Sequence, residues 1–142
     1  MTTRAQMSES EKNQGGHTEL MRAALGGQTE TVKALLESGA NVNEKDEAGR
    51  TALMFAVTNM QTDSVKQLLE RGADVNARAN DGGTALMLAA SSGDTGITRA
   101  LLTKGADVTG KFTQTGKTAL MLAKEKGYTD IAESLQAAGA KQ

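Results

Sequence analysis

Four copies of one short segment recur along this chain at an almost constant spacing. Thr-Ala-Leu-Met, or in the first copy Thr-Glu-Leu-Met, stands at 18–21, 51–54, 84–87 and 118–121. The first residues of the copies are 33, 33 and 34 positions apart. A second marker, which starts Gly-Ala in every copy, begins at Gly39, Gly72, Gly105 and Gly139. Two markers in register predict a repeat array, in which each unit packs only against its neighbours.

One unit predicts two helices and a turn. The hydroxyl of Thr51 precedes a run of helix formers, which is typical of a helix N-cap. Two apolar stripes at helical spacing follow, Leu53, Ala56 and Val57 and then Val65, Leu68 and Leu69. Gly72 stands just after the second stripe, where the end of a helix favours a left-handed residue. One such unit cannot bury both of its apolar stripes, but stacked units can.

Composition excludes several functional classes. The 142 residues suit one domain, and the net charge of -1 lacks the basic excess that is typical of nucleic-acid binders. There are no cysteines, which excludes disulfides and thiolate catalysis. No apolar run of about 18 residues is present, and residues 1–16 lack the apolar core of a secretory signal. We therefore expect a cytoplasmic protein without membrane or nucleic-acid partners.

The second and third copies resemble the ankyrin repeat. The second reads Gly-Arg-Thr-Ala-Leu-Met-Phe-Ala-Val from Gly49, then Val-Lys-Gln-Leu-Leu, then Gly-Ala-Asp-Val-Asn. The resemblance covers roughly residues 17–141 and implies an all-α ankyrin-repeat solenoid of helix-turn-helix units joined by β-turn or hairpin fingers. Ala or Glu replaces the family's Pro, and Met replaces its His, so the family's Thr–His hydrogen bond cannot form. These substitutions resemble those of bacterial ankyrin-repeat chains.

The period divides the chain into an arm and four repeats. We predict a disordered N-terminal arm at 1–16, with a short extra helix as the alternative, and an ankyrin repeat domain at 17–142. Its repeats are an N-terminal cap at 17–45, inner repeats at 46–78 and 79–111, and a C-terminal cap at 112–142. Polar residues at positions that tend to be apolar in the inner copies indicate the caps; they are Arg22, Thr31, Lys124, Ser134 and Gln136.

Two features imitate ligand sites, and we interpret both as structural. Gly110 to Thr118 nearly spells a phosphate-binding loop, but five residues rather than four separate its glycines, and no buried strand precedes it. We therefore predict no nucleotide affinity. The methionines that replace the family's His stand one per copy, which indicates packing between repeats rather than a copper site.

The sequence predicts no enzyme, no cofactor and no metal. His17 is the only histidine, and we expect it to be a solvated residue at the end of the array. The carboxylates are scattered over predicted repeat surfaces, and no acid–base set can be picked out.

The resemblance implies a module that binds a protein partner, as an adaptor or inhibitor, through its fingers and the concave face of its first helices. The family's contact positions differ from copy to copy in this chain, so the fold does not dictate them. With Phe112 added, the predicted partner-binding residues are Glu47, Arg50, Thr58, Asn59, Asn80, Asp81, Ser91, Ser92, Phe112, Gln114, Lys117, Glu125 and Lys126. We expect a monomer. The alternative is a structural or engineered scaffold with no native partner.

Three local features carry further expectations. Met60 stands at a helix break where other copies have Gly, so we predict a strained left-handed residue there. The third finger contains the extra residue of the array and should project, with Phe112 as an anchor at its tip; the alternative is that Phe112 folds back onto the stack. The first finger carries Glu44, Asp46 and Glu47 beside Lys45 and Arg50, whereas the third carries Lys111 and Lys117 without an acid. This predicts a charge gradient that would orient a partner, and the alternative is ordinary mixing of surface charges.

Overall fold

The computed structural model describes residues 15–140, which form eight helices in four pairs. The helices are α1 Glu19–Leu25, α2 Thr29–Glu37, α3 Ala52–Thr58, α4 Thr62–Glu70, α5 Ala85–Ser92, α6 Thr95–Thr103, α7 Ala119–Glu125 and α8 Thr129–Ala137. The arm predicted at 1–16 lies outside the described residues, except for Gly15 and Gly16. Gly16 is buried, and the backbone oxygen of Gly15 accepts a hydrogen bond from the Glu47 backbone.

The helices form two layers. The first helix of each pair packs on the first helix of the next, in the order α1, α3, α5 and α7. The second helices, α2, α4, α6 and α8, form the other layer in the same order. No named strand occurs between residues 15 and 140, and the only extended pairing there is one isolated bridge between Lys111 and Thr118. The predicted all-α ankyrin-repeat solenoid is therefore confirmed.

The core is built from the same positions in every copy. The leucines of the four Leu-Met pairs are each 1% exposed, and the alanines three residues later are also buried. Met21, Met54 and Met87 are buried between repeats as well, whereas Met121 is 37% exposed because no further described repeat covers it. Packing of the thioether thus replaces the Thr–His hydrogen bond that the sequence excluded.

Threonine caps begin all four first helices. The Oγ1 atoms of Thr18, Thr51, Thr84 and Thr118 accept hydrogen bonds from the backbone N–H three residues later, at 3.2, 3.4, 3.3 and 3.2 Å. Each bond satisfies one of the free N–H groups at a helix N-terminus. The N-cap that the sequence predicted at Thr51 is confirmed, and the same cap recurs in each copy.

The break between the paired helices requires a left-handed residue in every copy. Gly27, Gly93 and Gly127 have φ values of 67°, 81° and 76°. Met60 occupies the same place with φ 55°, and it is the only non-glycine residue with positive φ between residues 15 and 140. The left-handed backbone predicted at Met60 is confirmed. Its side chain is 54% exposed, so little packing offsets the strain.

Three fingers connect the repeats, and each is closed by a backbone hydrogen bond. The first is closed by Asp46 N and Arg50 O at 2.9 Å, the second by Ala79 N and Gly83 O at 2.8 Å, and the third by Phe112 N and Lys117 O at 3.0 Å. The third finger therefore encloses four residues where the others enclose three, and the extra residue of the array lies at 113–116. A backbone hydrogen bond joins each finger to the next.

Two asparagines clamp neighbouring repeats together. Asn43 Oδ1 accepts from the backbone of Asp74 at 2.7 Å, and Asn43 Nδ2 donates to the carbonyl of Gly72 at 3.2 Å. Asn76 repeats both bonds one copy later, to Asp107 and Gly105. Thr109 takes this position in the third copy, and its hydroxyl donates locally to Asp107 Oδ1 at 2.6 Å.

Candidate protein-binding surface

The fingers and the exposed side of the first helices form one continuous surface, which we call the finger–helix face. The guanidinium of Arg50, at the base of the first finger, lies 4.9 Å from the ring centroid of Phe55 on α3. Lys117 Nζ, at the base of the third finger, lies 2.9 Å from Glu125 Oε1 on α7. Side chains of two different fingers thus reach the first helices.

The structure brings the predicted partner-binding residues onto this face with different exposures. The exposed residues are Glu47, Arg50, Thr58, Asn59, Asn80, Asp81, Gln114, Glu125 and Lys126. The half-buried ones are Ser91, Ser92, Phe112 and Lys117.

Several of these residues also tie neighbouring repeats together. Asn59 Nδ2 donates to the carbonyl of Leu25 at 2.8 Å, and Lys126 Nζ donates to the carbonyl of Ser91 at 3.1 Å. Asn80 Nδ2 donates to the carbonyl of Glu47 at 2.9 Å. Substituting Asn59, Asn80 or Lys126 would therefore change the stack as well as the surface. Between residues 15 and 140, Thr58 and Gln114 make no hydrogen bond to another repeat and are better probes of the surface alone.

Phe112 does not stand at the tip of the third finger, which corrects the expectation of a projecting anchor. It stands at the base, at the position of Asp46 and Ala79, where its N–H closes the finger. Its ring is half-buried against the core and lies over Gly83, where an added Cβ would meet the ring at 2.9 Å. Gly83 leaves the space that the ring fills. The fold-back alternative therefore describes the packing of Phe112.

Asp46 is a buried carboxylate rather than a surface charge, so it does not contribute to the predicted charge gradient. Its side chain is 0% exposed. Burial alone would raise the pKa of Asp46, but the backbone N–H and guanidinium of Arg50 and the N–H of Ala48 hydrogen-bond the carboxylate, and the net effect lowers the pKa below its ordinary value. The three bonds are 2.8 to 2.9 Å long and fix the shape of the first finger.

His17 is not a solvated end residue, which corrects a second expectation. Its Nε2 lies 3.3 Å from Asp46 Oδ2, and its ring meets the Phe55 ring edge-on at 5.5 Å between centroids. The residue is half-buried because the second repeat covers it. His17 and Arg50 stand at the same position in successive copies, and both converge on Asp46 and Phe55.

The third finger is also less cationic than its sequence suggests. Lys117 is paired with Glu125, which comes from α7 and not from the finger. Together with the burial of Asp46, this pair reduces the charge difference between the first and third fingers. Lys111 remains exposed in the third finger.

Sequence reasoning missed an apolar row on this face. Phe55, Leu88 and Leu122 stand at one position of α3, α5 and α7, and all are half-buried. Arg22 takes this position on α1 and is exposed at the end of the row. The signal was present, because each of these residues directly follows the methionine of its copy and falls outside the apolar stripe of its helix.

The segment that imitates a phosphate-binding loop has other roles. Gly110 is buried beside Met87, residues 111–117 form the third finger, and Thr118 caps α7. Between residues 15 and 140, no three His, Cys, Asp or Glu side chains are placed to share a metal ion. In the same range, none of the helices has the length and apolar character needed to span a membrane.

Comparison with known proteins agrees with the repeat architecture. A family model described as ankyrin repeats in three copies matches residues 3–79 and again residues 76–142. The two matches overlap slightly and together cover nearly the whole chain. No curated protein matches the sequence.

Proposed function

The chain belongs to the ankyrin-repeat family, whose members generally serve as protein–protein interaction modules, and on this premise we propose that it binds a protein partner through its finger–helix face. In this proposal the protein has no catalytic activity of its own. It acts as an adaptor, which brings the partner to another component, or as an inhibitor, which covers the partner's working surface.

The contrast between buried and exposed positions of the first helices carries this proposal. At buried positions the four copies are nearly identical, with Leu20, Leu53, Leu86 and Leu120 each 1% exposed. At a position on the same helices that is exposed in three copies and half-buried in the third, the copies differ completely, with Leu25, Thr58, Ser91 and Glu125. Packing dictates the first set and leaves the second free, so the second set is available for recognition.

The rigidity of the face supports the same function. The fingers are joined in series by backbone hydrogen bonds, from Glu47 N to Gly15 O, from Asn80 N to Ala48 O and from Thr113 N to Asp81 O, at 3.2, 2.8 and 2.9 Å. A surface that is already ordered loses less conformational entropy on binding. The apolar row of Phe55, Leu88 and Leu122 supplies area that can be desolvated at the centre of an interface.

Affinity capture with paired variants tests this proposal. The immobilised full chain is exposed to a lysate of the native source, beside two doubly substituted chains. Thr58→Arg with Gln114→Arg adds bulk to the finger–helix face, and Ala34→Arg with Thr62→Arg adds the same bulk to exposed positions of the second layer. Circular dichroism confirms that all three chains are folded.

We expect the same protein to be retained by the natural chain and by the second-layer variant, and to be lost from the finger–helix variant. Retention that is equal on all three chains, or that is lost only from the second-layer variant, would place recognition elsewhere. Failure of the folded natural chain to retain any protein would favour the scaffold alternative.

A further inference from the structure

We propose that a notch between α1 and α3 is the anchor site for an aliphatic side chain of the partner that lies next to a carboxylate. This inference rests on the proposed function, because it names the chemistry that one end of the finger–helix face recognises. The notch is lined by His17, Met21, Arg22, Leu25 and Phe55.

The size and lining of the notch select the occupant. Its volume is about 50 Å³, and its walls are mostly apolar. A closed apolar cavity of about 150 Å³ takes a benzene ring, so this smaller and open notch suits the branched end of a Leu, Ile or Val or the end of a Met better than a whole aromatic ring. The apolar walls favour a group that loses no hydrogen bonds to water on entry.

The walls of the notch are already fixed. The Phe55 ring is held by the edge of His17 on one side and by the guanidinium of Arg50, 4.9 Å from its centroid. Arg50 is held in turn by the buried carboxylate of Asp46, at 2.9 Å. Because the pocket exists before the partner arrives, binding there need not order these side chains.

The fold does not require an apolar residue at the rim. Leu25 is 37% exposed, and the same position holds Thr58, Ser91 and Glu125 in the other copies. The array therefore tolerates polar residues there. Leu25 adds apolar area at the rim of the notch, which a partner can cover at the core of an interface.

The positive charge at the rim of the notch indicates which group of the partner lies next to the aliphatic side chain. Arg22 Nη1 donates to the carbonyl of His17 at 3.0 Å, which holds the guanidinium beside the notch. No ion pair joins Arg22 to an acid within the described part of the chain. An Arg held in place with free N–H groups is complementary to a carboxylate, which it can bind with two parallel hydrogen bonds.

Selection of random linear peptides displayed on phage, with the full chain as target, tests this inference. We expect enriched peptides to share a Leu, Ile, Val or Met next to an Asp or Glu. A synthetic enriched peptide should bind at least about tenfold more weakly to Leu25→Thr and to Arg22→Gln. Met60→Gly is the matched control, because it removes a more exposed apolar side chain outside the face and should leave the affinity unchanged.

Every other outcome contradicts the proposal that the notch is an anchor site. Enriched peptides without the aliphatic–acidic pair, or equal affinity for Leu25→Thr and Arg22→Gln and the natural chain, would show that the notch is not an anchor. If peptides that do not depend on the notch bind the natural chain but not the Thr58→Arg, Gln114→Arg chain, binding through the finger–helix face is supported and only the notch proposal is wrong. Absence of any enriched peptide also contradicts the notch, while lysate capture decides the proposed function separately.

Discussion

Single residues that break the repeat pattern are where this chain departs most from an ideal array. Met60 and Ser64 are the clearest examples, because the equivalent residues of other copies show which residue type the fold favours at each position. Met60 adopts a left-handed backbone that the other copies give to glycine. Ser64 is 1% exposed where Ile97 and Ile131 are buried in the next two copies. Each makes a separate prediction about stability.

Met60→Gly should stabilise the protein. A side chain at a left-handed position destabilises the folded protein by about 1–2 kcal/mol. Glycine is more flexible in the unfolded chain, which offsets about 0.5–1 kcal/mol of the stability gained by removing the side chain. We therefore expect a net gain of up to about 1.5 kcal/mol in the free energy of unfolding, measured by urea titration. The converse control is Gly127→Ala, which should destabilise through backbone strain alone because nothing lies within 4 Å of the added Cβ. An unchanged or lower midpoint for Met60→Gly would refute the strain argument.

Ser64→Ala should also stabilise the protein. The Ser64 hydroxyl has no hydrogen-bond partner in the described part of the chain, and a buried unsatisfied hydroxyl costs about 1–3 kcal/mol. Ser134→Ala on α8 controls for helix propensity, because Ser134 is half-buried and makes the same change of residue type. We expect the urea midpoint to rise clearly more for Ser64→Ala than for Ser134→Ala. Equal shifts would mean that the Ser64 hydroxyl is satisfied in solution.

The asparagine clamps link the first three repeats and have no counterpart between the third and fourth. Asn43 and Asn76 each make two hydrogen bonds to the following repeat, and Thr109 cannot do so because it has one hydroxyl in place of an amide. The third finger has its own link, since Phe112 fills the space over Gly83 of the second finger. The contact between the third and fourth repeats therefore depends more on Phe112 and less on the asparagine clamp.

Thr109→Asn should strengthen the docking of α7 and α8. The new amide can donate to the carbonyl of Gly139, as Asn43 and Asn76 do to Gly72 and Gly105, and the expected gain is about 1 kcal/mol. Hydrogen exchange of amides in α7 and α8 measures this directly and should become slower. Asn76→Thr, the reverse exchange one interface earlier, should speed exchange in the array. Unchanged exchange in both variants would show that the clamps contribute nothing.

Phe112→Ala should destabilise the protein without removing an anchor. Loss of a half-buried ring leaves a void over Gly83, and we expect about 1–2 kcal/mol, less than the 3–5 kcal/mol typical of fully buried Phe. Gln114→Ala at the exposed tip of the same finger should leave the melting temperature unchanged. If Phe112→Ala instead keeps its melting temperature and loses partner binding, the projecting-anchor expectation was right.

At the scale of the whole molecule, the repeated pattern predicts local structure well, but it does not indicate which side chains fill contacts between repeats. Recurrence of the same residue types in four copies made three features predictable. They are the positions of the helices, the Thr51 cap and the left-handed break at Met60. His17 and Phe112 were misjudged because each packs on a neighbouring repeat, His17 on Phe55 and Phe112 against Gly83. Such contacts lie about one period away along the chain, and periodicity alone does not indicate which side chains fill them.

Hydroxyl-radical footprinting of the captured complex tests the central claim most directly, because it measures side-chain exposure across the whole surface at once. We predict that the partner protects Leu25, Phe55, Leu88 and Leu122 on the finger–helix face from oxidation. Met60, which is 54% exposed at the α3–α4 break, should remain as reactive as in the free protein. Protection confined to Met60 and the second-layer helices, with Phe55 and Leu88 unchanged, would contradict recognition through the finger–helix face.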